Sequence, residues 1–215
     1  MRINRYVALA TGLSRRAADT AITAGRVRQN QRIATLGTEV VEGDIVTLDD
    51  QPITKPSMHQ TIMLNKPVGY ICSREGQGGK TIYDLIPASL RSLKPIGRLD
   101  KNSSGLLLLT DDGNLAHSLT HPSFHKIKIY KITLEKNLAD EDQTAIKKGI
   151  MLEDGASKLR VEGKGTDWTV TMHEGRNRQI RRTFAALGYQ VVDLHRVRFG
   201  TYVLGQLDIG KYKVL

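Results

Sequence analysis

The stretch Gly97-Arg98-Leu99-Asp100-Lys101-Asn102-Ser103-Ser104-Gly105 runs directly into Leu106-Leu107-Leu108-Leu109-Thr110. Four consecutive leucines bounded by glycine and polar residues are too short for a helix and predict a strand buried on both faces. A charged, glycine-bounded loop ahead of such a strand would seat Asp100 beside a rigid support, where a side chain can be held for chemistry. Taken alone, the same residues also read as a solvated loop in which Arg98 and Asp100 pair at the surface. The company this stretch keeps along the chain decides between the two.

The chain has 215 residues, enough for a moderate domain plus a small one, and its 40% hydrophobic and 25% charged composition predicts a soluble globular protein. A single cysteine, Cys72, excludes an internal disulfide and a multi-cysteine zinc site, and fits a reducing cytoplasm. There is no apolar run long enough to span a membrane, and Met1-Arg2-Ile3-Asn4-Arg5 lacks the apolar core of a signal peptide. The formal net charge of +10 favours a polyanionic partner, RNA or DNA rather than a membrane.

Residues 1–58 read as a small separate module. Ile3, Val7 and Ala10 share a helical face that Gly12 ends, and Ser14 caps a second helix carrying Ala17, Ala18, Ala21 and Ile22, closed by Gly25. Strands are predicted at Val27, Val40-Val41 and Ile45-Val46-Thr47-Leu48, with Gly43-Asp44 as a turn. Across the first 32 residues Arg2, Arg5, Arg15, Arg16, Arg26, Arg28 and Arg32 face one acid, Asp19, a pattern suited to a phosphate backbone. This helix-Gly-Ser-Arg-Arg-helix-Gly-Arg-Val arrangement resembles the S4 RNA-binding domain, which favours RNA over DNA.

Residues 51–60, with Pro52 and Pro56, are expected to form a linker. A second domain, 61–215, then opens on the strand Thr61-Ile62-Met63-Leu64. Glu75-Gly76-Gln77-Gly78-Gly79-Lys80-Thr81 invites a phosphate-loop reading, but that motif needs glycine where Arg74 stands. His117, His121 and His125 recur every four residues, yet Pro122 breaks the helix that would align them and no further ligand supports a metal. They are expected to form a polar turn facing RNA. From Lys126 to Glu135, Lys126, Lys128 and Tyr130 alternate with Ile127, Ile129 and Ile132, which places Tyr130 on a basic strand face, either as an ordinary strand tyrosine or as a stacking platform for a base.

A helix is expected from Asp140, with Gln143 completing a capping pattern and Gly149 ending it. Strands follow near Leu159-Arg160-Val161 and Trp168-Thr169-Val170-Thr171, and two or three more close the chain after Val191. The most basic run is Glu174-Gly175-Arg176-Asn177-Arg178-Gln179-Ile180-Arg181-Arg182-Thr183-Phe184. Arg176 and Arg178 are placed to reach RNA. Arg181, beside core-facing Ile180, is placed to turn inward, where it needs a carboxylate, and Asp100 is the candidate.

With these segments in place the chain resembles the bacterial ribosomal RNA pseudouridine synthases of the small-subunit synthase A and large-subunit synthase B, E and F class. The likeness runs through Leu64-Asn65-Lys66-Pro67-Val68-Gly69, Gly97-Arg98-Leu99-Asp100, Lys126 to Ile132 and Gly175 to Arg182. Ser103 departs from the family's usual threonine but keeps its hydroxyl. The resemblance implies an α+β protein: an S4-like domain followed by a catalytic domain on a mixed, mainly antiparallel sheet flanked by helices. It implies Asp100 as the essential aspartate, Tyr130 as the active-site tyrosine and Arg181 as the arginine that pairs with the carboxylate. Arg98 would fill the place of the displaced base, Ile180 would pack at the base pocket, and Arg176, Arg178, Arg15 and Arg16 would contact RNA.

The implied reaction isomerises uridine within RNA, needs no cofactor and no metal, and leaves open whether Asp100 acts as nucleophile or base. The implied partner is ribosomal RNA, free or in a pre-ribosomal particle, with the large subunit favoured by the likeness to synthase B. The expected protein is a cytoplasmic monomer. The competing reading is an RNA-binding or ribosome-assembly protein without catalysis, which has no reason to keep Asp100, Tyr130 and Arg181 together.

Overall fold

A computed structural model describes residues 1–55, 59–74 and 78–215, so residues 75–77 of the glycine-rich loop and 56–58 of the expected linker lie outside the described residues. The chain divides into two compact units, Met1–His59 and Gln60–Leu215.

The first unit holds α1 (Ile3–Thr11), α2 (Arg15–Thr23) and the strands β1 (Val27–Gln29), β2 (Arg32–Ile33), β3 (Val46–Leu48) and β4 (Gln51–Ile53). Gly12 ends α1 in the left-handed conformation, φ +76°, which glycine adopts without a Cβ penalty. The Ser14 hydroxyl accepts from the Ala17 amide at 3.0 Å and so satisfies one of the open donors of α2. Ile3, Val7, Ala18, Ile22, Val27 and Val46 pack as one core over the antiparallel sheet β2-β1-β3-β4.

Three expectations change in this unit. Gln51–Ile53, placed in the linker, is an edge strand on β3; Pro52 sits on that edge, where no ladder donor is required of it. Val40-Val41 forms no strand: Val40 is buried, while the Val41 amide donates to Asp44 Oδ2 at 2.8 Å and turns the chain. Among the arginines expected to face phosphate, Arg26 is paired with Asp49 at 2.5 Å and Arg28 with Asp50 at 3.3 Å. Arg15 and Arg16 remain exposed in the first turn of α2, the positive end of the helix dipole, where basic residues do not help the helix.

The second unit contains β5 (Thr61–Lys66), β6 (Lys94–Ile96), β7 (Ser104–Thr110), α3 (Gly113–Thr120), β8 (Lys128–Leu134) and α4 (Asp140–Lys148). It continues with β9 (Ile150–Leu152), β10 (Gly155–Ser157), β11 (Arg160–Lys164), β12 (Asp167–Met172), α5 (Gln179–Ala185), β13 (Val191–Phe199), β14 (Tyr202–Val203) and β15 (Tyr212–Val214). The main sheet runs β11-β12-β8-β13-β7-β5-β15, with β14 added to β13 and β6 to β7. Among the described residues only the β13–β7 pair of this sheet runs parallel, so the fold is α+β on a mixed, mainly antiparallel sheet.

The leucine run is the strand that its length predicted. Leu106 to Leu109 are all fully buried, and they alternate between two cores. Leu107 and Leu109 join Ile62, Leu64, Tyr130 and Phe184, whereas Leu106 and Leu108 join Met63, Ile96, Leu119 and Phe199. At about 1.5–3 kcal/mol for each buried leucine, this one strand is a large stabilising element. β5 pairs along one edge of β7 from Gly105 to Thr110; the other edge is shared, by β13 at its start and β6 at its end. The connection Gly97–Ser103 therefore re-enters the sheet where β7 meets β13. There the backbones approach so closely that a Cβ on Gly105 would lie 2.3 Å from the Arg196 carbonyl oxygen.

α4 begins at Asp140 as expected, but its cap comes from elsewhere. The Ala139 amide donates to the Tyr189 hydroxyl at 3.2 Å, and that hydroxyl donates to Asp142 at 2.7 Å. α3 stops at Thr120 before Pro122, which leaves His117 and His121 with ring centroids 4.8 Å apart and His125 in a turn at φ +43°. Among the described residues no cluster of metal-ligating side chains forms, and no helix is long and apolar enough to cross a membrane.

Candidate active site

Gly97, Arg98, Asp100, Tyr130, Ile180 and Arg181 line one cavity of about 300 Å³ in the second unit, together with Arg176 and Arg178. It is framed by the β6–β7 connection, the adjoining strands β8 and β13, and the start of α5.

The loop carrying Asp100 is held by its own carbonyl groups. Lys66, at the end of β5, is fully buried, and its ammonium donates to the carbonyls of Pro67 at 3.1 Å, Asp100 at 3.0 Å and Ser103 at 2.7 Å. The Gly69 amide donates to the Lys101 carbonyl at 2.7 Å, and Arg181 Nη2 donates to the Asn102 carbonyl at 2.7 Å. Four successive carbonyls, 100 to 103, thus each have a donor from outside the loop. With Leu99 buried ahead of it, the Asp100 carboxylate stands on a fixed backbone and remains 37% exposed toward the cavity. Burial lowers the pKa of the Lys66 ammonium, while the neighbouring Asp100 charge works in the opposite sense.

The expected pairing of Asp100 with Arg181 is not the contact that forms. Arg178 Nη1 lies 3.7 Å from Asp100 Oδ2, and Arg178 occupies the left-handed conformation at the N-cap of α5, φ +46°. Arg181 does turn inward, but toward backbone: Nη1 donates to the Val191 carbonyl and Nη2 to that of Asn102. Burial and the charge of Arg178 lower its pKa, and the Asp100 charge opposes them, so Arg181 shares the field of the carboxylate without touching it. A helix face gives the direction of Arg181; the distorted cap residue before the helix is what sends Arg178 to Asp100.

Two further expectations are corrected. Tyr130 is 8% exposed and packs in the main core, and Ile132 and Leu134 share its buried strand face while Ile129 lies on the other, so Tyr130 does not stand on an open basic surface. The alternation placing Ile132 opposite Tyr130 was broken, since both are even-numbered. Tyr130 meets the cavity from within the core. Arg176 is committed to structure: its guanidinium binds the Asp154 carboxylate at 2.8 Å and the carbonyls of Asp154, Gly155 and Ala156 at 2.9, 2.9 and 3.0 Å. Arg98 is exposed at the cavity rim, and Ile180 is buried in the wall.

Lys66 and Arg196 are the residues to which sequence reasoning gave no role. Arg196 is 2% exposed on β13, lines the cavity, donates through Nε to the Leu106 carbonyl at 2.8 Å and lies 4.9 Å from the Phe199 ring centre. The signal for Lys66 was its parity: Ile62, Leu64 and Lys66 fall on one strand face, so a lysine closes an apolar series.

A model of the family described as RNA pseudouridylate synthase matches residues 60–186, and the S4 domain model matches residues 1–46. The chain is 39% identical to an uncharacterized RNA pseudouridine synthase of Aquifex aeolicus, covering 100% of this chain and 90% of that protein. It is 36% identical to the ribosomal small subunit pseudouridine synthase A of Haemophilus influenzae, covering 100% and 96%. It is also 36% identical to the ribosomal large subunit pseudouridine synthase B of Pseudomonas aeruginosa, covering 93% of this chain and 55% of that protein. Among solved structures, a crystal structure of a pseudouridylate synthase matches with a TM-score of 0.72 and 35% identity, over 100% of this chain and 96% of the other.

Proposed function

This chain belongs to the RNA pseudouridylate synthase family, and from its site we propose that it converts a uridine of ribosomal RNA to pseudouridine with Asp100 as the essential carboxylate. The observation that carries the assignment is the carboxylate on its clamped loop, opening into a cavity shared with Tyr130, Ile180 and arginines. The reaction breaks the bond from ribose C1′ to uracil N1, with the electron pair leaving on the base. The base turns, C5 bonds to C1′, and the proton lost from C5 is balanced by one gained at N1. Nothing is oxidised and, apart from that exchange of one proton for another, no group is lost, so the proposal includes no cofactor.

Cleavage at C1′ builds positive charge on the sugar, and a fixed carboxylate stabilises that charge. Asp100 acts either by bonding to the sugar carbon or by taking a ribose proton; both routes need it ionised and in place. Arg178 places a positive charge 3.7 Å from the carboxylate, and Arg181 holds the loop at Asn102. Tyr130 stacks on the uracil and relays the C5 proton. Reaching C1′ requires the uridine to leave its stack at about a few kcal/mol, and exposed Arg98 fills the vacated place. In the first unit Arg15 and Arg16 grip phosphates, the RNA-binding role assigned to the S4 domain.

The substrate is ribosomal RNA, free or within a pre-ribosomal particle, met by a cytoplasmic monomer, and large-subunit RNA is the first to test. Asp100→Asn is expected to bind that RNA and to release no tritium from C5-labelled uridine, whereas the natural chain releases it. Undiminished release by Asp100→Asn would remove the carboxylate from its role. Mapping pseudouridines in the RNA of both subunits, from cells with and without this protein, identifies the target.

A further inference from the structure

We propose that a second groove in the catalytic unit binds nucleotides flanking the target uridine in the same RNA strand, an inference that rests on the function proposed above. The groove has a volume of about 970 Å³ and shares Lys128, Met172, Gly175 and Arg176 with the wall of the cavity at Asp100. A strand with one nucleotide in that cavity has this wall as a path onward.

The chemistry of the groove matches a nucleotide on both of its faces. Its floor is apolar, formed by buried Leu119, Leu159 and Met172 with half-buried Ile127. Its rim is cationic. Lys126, Lys147 and Lys158 stand around it, and His121, His125 and His173 offer exposed rings for stacking. Arg160 is already held by Glu162 at 2.6 Å, whereas Lys147 and Lys158 form no salt bridge among the described residues. Glu174, the one carboxylate in the lining among the described residues, is engaged by Arg176 and Gln179.

The stem of Lys158 lies across Gly149, where a Cβ would meet Lys158 Cγ at 3.0 Å; glycine at that position lets the lysine lie flat. Phosphates on the lysines and bases on the apolar floor would use the whole groove. An acidic peptide would use the rim, but nothing would draw it along the wall shared with the uridine cavity.

The test compares the full-length chain with Lys147→Glu/Lys158→Glu, and with Lys147→Gln/Lys158→Gln as the milder pair. Each is titrated with an rRNA stem-loop containing the target, with and without its flanking nucleotides, over a range of salt. Both substituted proteins should bind the extended RNA more weakly, the Glu pair by at least about tenfold. Losing two phosphate contacts should also flatten the log–log salt slope by about 1.4–1.8. The loss should vanish on the trimmed RNA. Equal affinity for the extended RNA in all three proteins, or an equal loss on both RNAs, would overturn the groove. Tritium release by the natural chain is scored separately. Flank-dependent binding without any release would sink the isomerase assignment for that RNA and leave the groove standing.

Discussion

The Lys66 ammonium and the Asp100 carbonyl oxygen lie 3.0 Å apart, which ties the end of β5 to the loop that carries the proposed catalytic carboxylate. The contact is to backbone, so Lys66 sets where Asp100 stands.

Lys66→Met should therefore test that placement. Three carbonyls lose a buried charged donor, which should cost about 2–4 kcal/mol in urea unfolding. A loop displaced by about 1 Å should lower kcat by about 100-fold, with a smaller change in KM. Unaltered kcat in a folded Lys66→Met protein would show that the clamp does not position the carboxylate.

Arg178 and Arg181 should fail in different ways. Arg178 is 44% exposed and its ion pair with Asp100 is long, so Arg178→Gln should change stability by less than about 1 kcal/mol while lowering kcat. Arg181→Gln strips donors from the Val191 and Asn102 carbonyls and should cost about 1–3 kcal/mol as well as activity. Urea midpoints beside tritium-release rates separate the two; equal stability losses would contradict the division of roles.

Much of this arrangement was legible before folding was considered, and the misses share one cause. Leucines 106–109 could only be a buried strand, and Gly12 and Ser14 announced their helices, because those signals are local. The partner of Asp100 was not local: it depends on Arg178 adopting a left-handed cap, which helical spacing cannot express. Arg176 looked like a phosphate contact because its carbonyl partners at 154–156 lie on a separate hairpin. Likewise β13 read as one of the closing strands, yet it sits in the middle of the sheet between β8 and β7.

Gly105→Ala tests that central junction. A methyl group 2.3 Å from the Arg196 carbonyl oxygen, at φ +103°, must push β7 and β13 apart or shift the loop before it. The expected loss is at least about 2 kcal/mol, from strain and overpacking together. Substitution of Gly188, which has open space around it at φ +77°, should cost less and serves as the control.

Cys72 gives a pH test. Burial pushes its thiol above the ordinary value of 9.0, although the Leu99 amide and the charges of Lys66 and Arg196 pull it back. The folded state thus favours the protonated thiol. Its stabilisation is fully present below 9.0 and is lost as pH rises through the higher native value. A thiol reagent at about pH 8 should label the native chain slowly and the urea-unfolded chain at once. Rapid labelling of the native chain would place Cys72 outside the core.

Arg15→Ala/Arg16→Ala should weaken binding to long rRNA and reduce the salt slope, by up to about 1.4–1.8 if both contact phosphate. Stability should hold or improve slightly, since both residues oppose the α2 dipole. An unaltered slope would remove the S4 unit from phosphate contact.

The donors that hold the Asp100 loop come from far apart in the chain: Lys66 lies 34 residues before Asp100, and Arg181 lies 79 residues after Asn102. During synthesis the loop leaves the ribosome with the Lys66 and Gly69 fastenings available and waits for α5 to supply the one at Asn102. A nascent chain that ends before Arg181 holds Asp100 but lacks the geometry that aims it. Catalysis by this carboxylate would then begin only when tertiary assembly is nearly complete, so the first turnover would mark the end of folding.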